Sequence, residues 1–154
     1  MFADPHAEMG AVAAVFAALY AAHHVGDYWV QTDHQACTKA APGWSGRWAC
    51  AKHVATYTLT GCLALLFLAA ATGWRPDPDM AGTGLAVSAV THYLADRRQI
   101  LAWLAQQSGA VRFYLLGAPR PDRDDKPCLG TGAHALDQSW HIGWLFIAAL
   151  FIAG

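Results

Sequence analysis

The sequence predicts an all-α fold: a polytopic membrane protein, built as a four-transmembrane-helix up-and-down bundle with a short interfacial amphipathic helix. Three observations carry that prediction. Charged residues are few and clustered. The ionisable residues inside the apolar stretches repeat at helical spacing. The basic residues outside them gather on one side of the chain's path.

Only 14% of the 154 residues are charged, against 55% hydrophobic, whereas soluble domains run near a quarter charged. Four windows carry no charge: eighteen residues between Glu8 and Asp27, twenty-two between Lys52 and Arg75, sixteen between Asp79 and Asp96, and the seventeen after Asp137. A hydrocarbon core of about 30 Å takes roughly 20 helical residues to cross. The windows therefore predict spans near 9–30, 53–74, 80–97 and 134–153 in one membrane domain, 1–154. The second span is the most apolar. The third is diluted by Gly82, Thr83, Gly84, Ser88 and Thr91, small residues that suit close helix packing in lipid. A soluble Ala-rich bundle is the alternative, compatible with the modest mean hydropathy of +0.23. Trp29 and Trp74 at span ends and Trp48 just before the second span favour the bilayer, as an aromatic belt would place them. The opening MFADPHAE has no basic stretch, so the first helix is expected to be retained rather than cleaved as a signal.

Alternating spans put the loops 31–52 and 98–133 on one side. Lys39, Arg47, Lys52, Arg97, Arg98, Arg112, Arg120, Arg123 and Lys126 fall there, nine of the ten basic residues. Arg75 lies opposite, beside Asp77 and Asp79, and the N-terminal segment is acidic (Asp4, Glu8). The positive-inside rule makes the two loops cytoplasmic and puts both termini outside, in the inner (cytoplasmic) membrane of a cell. Within 98–118, Ile100, Leu101, Trp103 and Leu104 alternate with Arg97, Arg98, Gln106 and Gln107, the pattern of a helix lying in the interface. Pro119, Pro121, Asp122, Asp124, Asp125 and Pro127 then mark an irregular loop.

Composition excludes several classes. Ten basic and eleven acidic residues nearly cancel, so no global field attracts nucleic acid. The basic residues of 97–126 suit anionic lipid head groups instead. Four Cys do not make a disulfide scaffold. No nucleophile elbow, P-loop, dinucleotide-binding glycine pattern or H-E-x-x-H occurs.

Ionisable residues within spans are costly in lipid and point to function. His23, Asp27 and Gln31 are spaced i, i+4, i+8; His92 and Asp96 are i, i+4; Asp137 and His141 are i, i+4; His53 opens the second span, with Tyr57 one turn on. Residues four apart share a helix face, about 6 Å apart along the axis. With alternating directions, all four clusters fall at one depth, toward the cytoplasm. His24 is also within reach of Asp27, but His23 has the better spacing. Asp137 and His141 are likewise preferred to His134.

Imidazole with carboxylate suits a divalent transition metal, zinc first, and bundles build such sites from facing helices. His23, Asp27, His53, His92, Asp96, Asp137 and His141 are the candidate ligands for one or two ions. Asp27, Asp96 and Asp137 are also candidates for the general base, and Gln31 and Gln138 for oxyanion stabilisation. The alternative is a layer of His–Asp pairs that satisfy one another. A competing arrangement, His34-x-x-Cys37 with Cys50-x-x-His53, has finger-like zinc spacing in the first loop. A disulfide among Cys37, Cys50 and Cys128 is disfavoured on the reducing side, and Cys62 reads as a packing residue.

The segment HHVGDYWVQTDHQACTK resembles the opening motif of a small bacterial and phage membrane-protein family, a domain of unknown function. Its pattern H-x-x-[AG]-D-[FY]-x-x-Q-x-D is matched by His23, Gly26, Asp27, Tyr28, Gln31 and Asp33. A His opening the second span is matched by His53, a T-H-x-x-x-D motif by Thr91, His92 and Asp96, and a D-Q-x-x-H motif by Asp137, Gln138 and His141. The likeness covers about residues 20–145 and implies no established activity.

These residues lead to three expectations. One is a metal-dependent membrane hydrolase of a lipid or phosphoester, with Arg97 and Arg98 near the substrate phosphate. Another is a metal or proton carrier or sensor. The last is a non-enzymatic structural membrane protein of phage or plasmid origin. The partners expected are the bilayer and a lipid substrate, with no nucleic acid, and four short helices suit a homo-oligomer.

Overall fold

A computed structural model describes residues 5–120, 122–125 and 130–154. Asp4, Pro121, Lys126, Pro127 and Cys128 lie outside them. The described residues form helices and no strand: α1 (Pro5–Val25), a π-helical turn (Gly26–Val30), α2 (Asp33–Thr38), α3 (Gly43–Thr72), α4 (Pro78–Asp96), α5 (Gln99–Gln107), α6 (Val111–Tyr114) and α7 (Gly132–Ala153).

Local chemistry sets the ends. Thr32 and Gln35 form a reciprocal capping box that starts α2. Gly73, left-handed at φ 73°, ends α3. Asp77 accepts from the backbone N–H of Asp79 and Met80, with Pro78 in the first turn, and so starts α4. Thr131 accepts from His134 N–H and starts α7.

The second long helix begins ten residues earlier than the uncharged window predicts, at Gly43 rather than His53. Arg47 and Lys52 break the apolar run but not the helix, since both are good helix formers. The first loop shrinks accordingly to 31–42, and His53 sits well inside α3.

α1, α3, α4 and α7 close a ring: α1 packs on α3 and α7, and α4 packs on α3 and most extensively on α7. The end of α4 meets the start of α7 at the polar layer, and Gly84 near the start of α4 meets Ala148 and Ile152 near the end of α7, so the two run antiparallel. A Cβ at Gly84 would overlap Ile152 and the Ala148 carbonyl, so this close approach needs glycine. One end of the ring is an apolar core of Val15, Leu19, Leu65, Leu145, Ala148 and Ile152. Trp74 packs against that core rather than standing free at a span end. Trp29, Trp44, Trp48 and Trp103 are exposed.

The outside of the bundle is apolar: Leu59, Leu66, Val90 and Leu150 are exposed, and Phe67 is 74% exposed. Among the described residues, three helices are long and apolar enough to cross a membrane: His6–Val30, Gly43–Thr72 and Gly132–Ala153. The diluted third window is helical as α4 but is not among them. A short helix does form where the amphipathic one is expected: α5 buries Leu101 and Ala105 and leaves Trp103, Gln106 and Gln107 exposed.

Candidate metal centre

At the end of the ring away from the apolar core, seven side chains from four helices converge. His23 and His53 are fully buried, and His92, Asp96 and His141 nearly so. His23 comes from the last turn of α1 and Asp27 from the π turn that follows. That turn is closed by Gln31 N–H donating to Gly26 O at 3.0 Å. Single π turns inside α-helices concentrate at functional sites because the extra residue redirects a side chain. Gly26 lets this turn lie against α3, since a Cβ there would come within 3.1 Å of the Tyr57 ring.

Four ligand atoms meet at one point. His53 Nε2 lies 3.0 Å from His92 Nε2, 3.3 Å from Asp27 Oδ1 and 3.3 Å from Asp96 Oδ2. His92 Nε2 lies 3.5 Å from Asp27 Oδ1 and 3.2 Å from Asp96 Oδ2. A tetrahedral ion with ligands at about 2.0–2.2 Å would space them roughly 3.3–3.6 Å apart. The five distances, 3.0–3.5 Å, fall within or just below that range. The rings pack closely: Tyr57 lies 3.8 Å from His92 between centroids in a tilted pair, and His141 lies 4.2 Å from His92 edge-on. Asp27 Oδ1 and Asp96 Oδ2 have no hydrogen-bond partner, although both are buried beside ring nitrogens.

A second layer surrounds this set. Gln138 Nε2 donates to Asp137 Oδ2 at 3.4 Å, which turns its Oε1 toward His23 Nε2 at 3.0 Å. His23 Nε2–H therefore donates to Gln138 Oε1, and Nδ1 lies 3.6 Å from Asp27 Oδ2. His141 Nδ1–H donates to the Asp137 carbonyl at 3.0 Å, leaving Nε2 buried and unpartnered. Residues His23, Asp27 and His92, residues His53, His92 and Asp96, and residues Asp96, Asp137 and His141 each form a group whose ligand atoms lie within 4.8 Å of one another. The His/Asp clusters can thus hold a metal ion.

One group that sequence reasoning missed is Lys39, counted there only as a loop charge. Its Nζ lies 2.7 Å from Asp96 Oδ1. Arg97 donates to the carbonyls of Lys39 and Ala41, the latter at 2.8 Å, and so straps the segment that carries Lys39 to the end of α4. Arg97 is therefore committed to the chain and not free for a substrate phosphate. No spacing rule links residues 58 apart; only the unusual neighbours Arg97 and Arg98, straight after Asp96, hint at it.

Other expectations are corrected. Gln31 leaves the helix in extended conformation at ψ 129°, so the i+8 spacing from His23 no longer applies, and it makes no hydrogen bond to the cluster. His24 turns away and stacks between Tyr20 and Tyr28, at 4.6 and 5.7 Å. The His34–Cys37–Cys50–His53 arrangement does not assemble. His34 and Cys37 are exposed on α2, Cys50 is buried with Sγ 3.8 Å from Tyr93 O, and His53 belongs to the bundle site. Cys37, Cys50 and Cys62 are free thiols. In the distal loop, Arg120 pairs with Asp125 at 2.7 Å, which holds the Asp125 carboxyl below its ordinary range. Compared with protein families, with curated proteins and with solved structures, the chain matches none.

Proposed function

We propose that this chain is an integral membrane metalloprotein. Asp27, His53, His92 and Asp96 would hold a divalent transition ion, zinc in the first instance, and the protein would hydrolyse an ester or phosphoester bond at the cytoplasmic face. The observation that carries the reading is the convergence of two imidazoles and two carboxylates within 3.0–3.5 Å of one another along five contacts. Two carboxylates balance the charge of one such ion.

The membrane part rests on the inverted distribution of polarity, with buried His and Asp inside and exposed Leu, Val and Phe outside. α4 would be the fourth span. Its 19 residues reach about 28 Å, and it closes the ring between two of the apolar helices. That nine of ten basic residues fall on one side of the expected spans supports a site toward the cytoplasm. The motifs that resemble the small membrane-protein family supply all seven clustered residues, which supports kinship with that family.

When bound, such an ion polarises a carbonyl or phosphoryl oxygen and makes water acidic enough to attack near neutral pH. Hydrolysis adds water across the bond. The water oxygen joins the carbonyl carbon or phosphorus, the ester bond to the leaving oxygen breaks, and the leaving group takes a proton. His23, Gln138, Asp137 and His141 exceed what a purely structural ion needs, and each buried polar atom without a partner costs about 1–3 kcal/mol. That excess favours chemistry over scaffolding. A carrier needs polar access from both faces, whereas Val15, Leu19, Leu65, Leu145 and Ile152 fill the far end of the ring.

The test is elemental mass spectrometry of the purified chain, prepared without chelator, beside the His92→Ala/Asp96→Ala double variant. Stoichiometric zinc, iron or manganese that disappears in the variant supports the centre and opens a screen of esters and phosphoesters. No metal in either protein sinks the reading.

A further inference from the structure

Beside the Asp27, His53, His92 and Asp96 set lies a three-residue set that shares Asp96 with it. Asp96 at the end of α4, with Asp137 and His141 in the first turns of α7, present ligand atoms within 4.8 Å of one another. Three protein ligands leave an open position. His141 is 3% exposed, and its Nδ1–H is spent on the Asp137 carbonyl. Its Nε2 carries a buried lone pair that no protein donor meets, on the ring side away from α7.

A positive charge already stands at this set. The Lys39 ammonium lies 2.7 Å from Asp96 Oδ1, the oxygen that the four-ligand set does not use. Arg97 holds the Lys39 main chain in place through its carbonyl, while the ammonium rides on a flexible four-carbon stem. The side chain can swing aside without the strap moving.

We propose that Asp96, Asp137 and His141 bind a second divalent cation, bridged to the first through Asp96. Oδ2 serves the first ion, and Oδ1, released by Lys39, serves the second. The inference rests on the metalloprotein reading above and sharpens it. Paired ions about 3.5–4 Å apart stabilise both the attacking and the leaving oxygen of an in-line displacement, which is phosphoester chemistry. The open position belongs to the second ion, and the substrate class is a phosphoester.

The experiment counts ions without needing a substrate. The full chain in detergent is stripped with chelator, reloaded with Zn²⁺, passed over a desalting column and analysed for metal. It is also titrated with Mn²⁺ and followed by electron paramagnetic resonance. Wild type is expected to hold two ions, with the second Mn²⁺ broadening the signal of the first by spin coupling. His141→Ala and Asp137→Asn are expected to hold one, with an uncoupled signal. Lys39→Met is expected to keep two and to bind the second roughly tenfold or more tightly, since a competing charge a few ångströms away is gone. One ion in wild type overturns the second site and leaves the first standing; none overturns both. Two ions retained in both triad variants overturn the placement. If those variants do not fold, Lys39→Met decides, and unchanged affinity for the second ion overturns the proposal.

Discussion

Replacing Asp27 by Asn gives the sharpest single test of the four-ligand set. The change is isosteric and keeps an oxygen near His53 and His92. It removes the negative charge and replaces one acceptor oxygen by an NH2 donor. A structural zinc ion is held by about 10–16 kcal/mol, so one of four ligands carries roughly 2.5–4 kcal/mol if the share is even. At about 1.4 kcal/mol per decade, that is a loss of roughly 10²–10³ in affinity. The side chain contacts His23, His53 and His92 at 3.6, 3.3 and 3.5 Å and no charged lysine or arginine. The empty protein should therefore keep its fold, and the thermal midpoint without metal should move little. The assay is competition against a chromophoric chelator in detergent, with circular dichroism on the same samples. Asp79→Asn, exposed at the far end of α4, serves as the charge-matched control. A folded Asp27→Asn protein whose zinc affinity stays within about threefold of wild type would refute the assignment.

Two further outcomes follow from the geometry. Gly84→Val drives a side chain into Ile152 and the Ala148 carbonyl; overpacking costs about 1–3 kcal/mol, and the thermal midpoint should fall by roughly 3–10 °C. Arg97→Met removes the donors to Lys39 and Ala41, each charge-assisted bond contributing about 1.5–3 kcal/mol, so trypsin should cut after Lys39 at least about tenfold faster. An unchanged cleavage rate would mean that the strap is held by something else.

The sequence made the helices and the depth of the polar layer legible for one reason. In an apolar helix each charge is expensive, so the few present are informative. His92 with Asp96 and Asp137 with His141 could be paired by spacing alone, because both pairs sit inside regular helices. The π turn was not legible: Gly-Asp-Tyr-Trp-Val has no distinct signature, and its extra residue carries Gln31 off the expected face. The early start of α3 was hidden because hydropathy reads Arg47 and Lys52 as loop. Lys39 and Arg97 were unreadable as site groups because their contacts join segments far apart in sequence, where no periodicity operates. The tempting His–Cys spacing failed for a complementary reason. The helix that begins at Gly43 turns Cys50 toward Tyr93 and His53 toward Asp27 and Asp96.

The π turn at Gly26–Val30 has a consequence for how this protein can change. A π turn is an α-helix with one residue too many. Loss of a single residue between Gly26 and Val30 would let the helix close into regular turns, which are locally more stable. The same deletion would rotate whatever follows by about 100°. Where the lost residue is Gly26, Asp27 would then turn away from the two imidazoles. The segment is thus sensitive to its length more than to its composition. Substitutions at the exposed Tyr28 or Trp29 should be absorbed at the surface, whereas a one-codon deletion of Gly26 should abolish metal binding in a protein that still folds as a bundle.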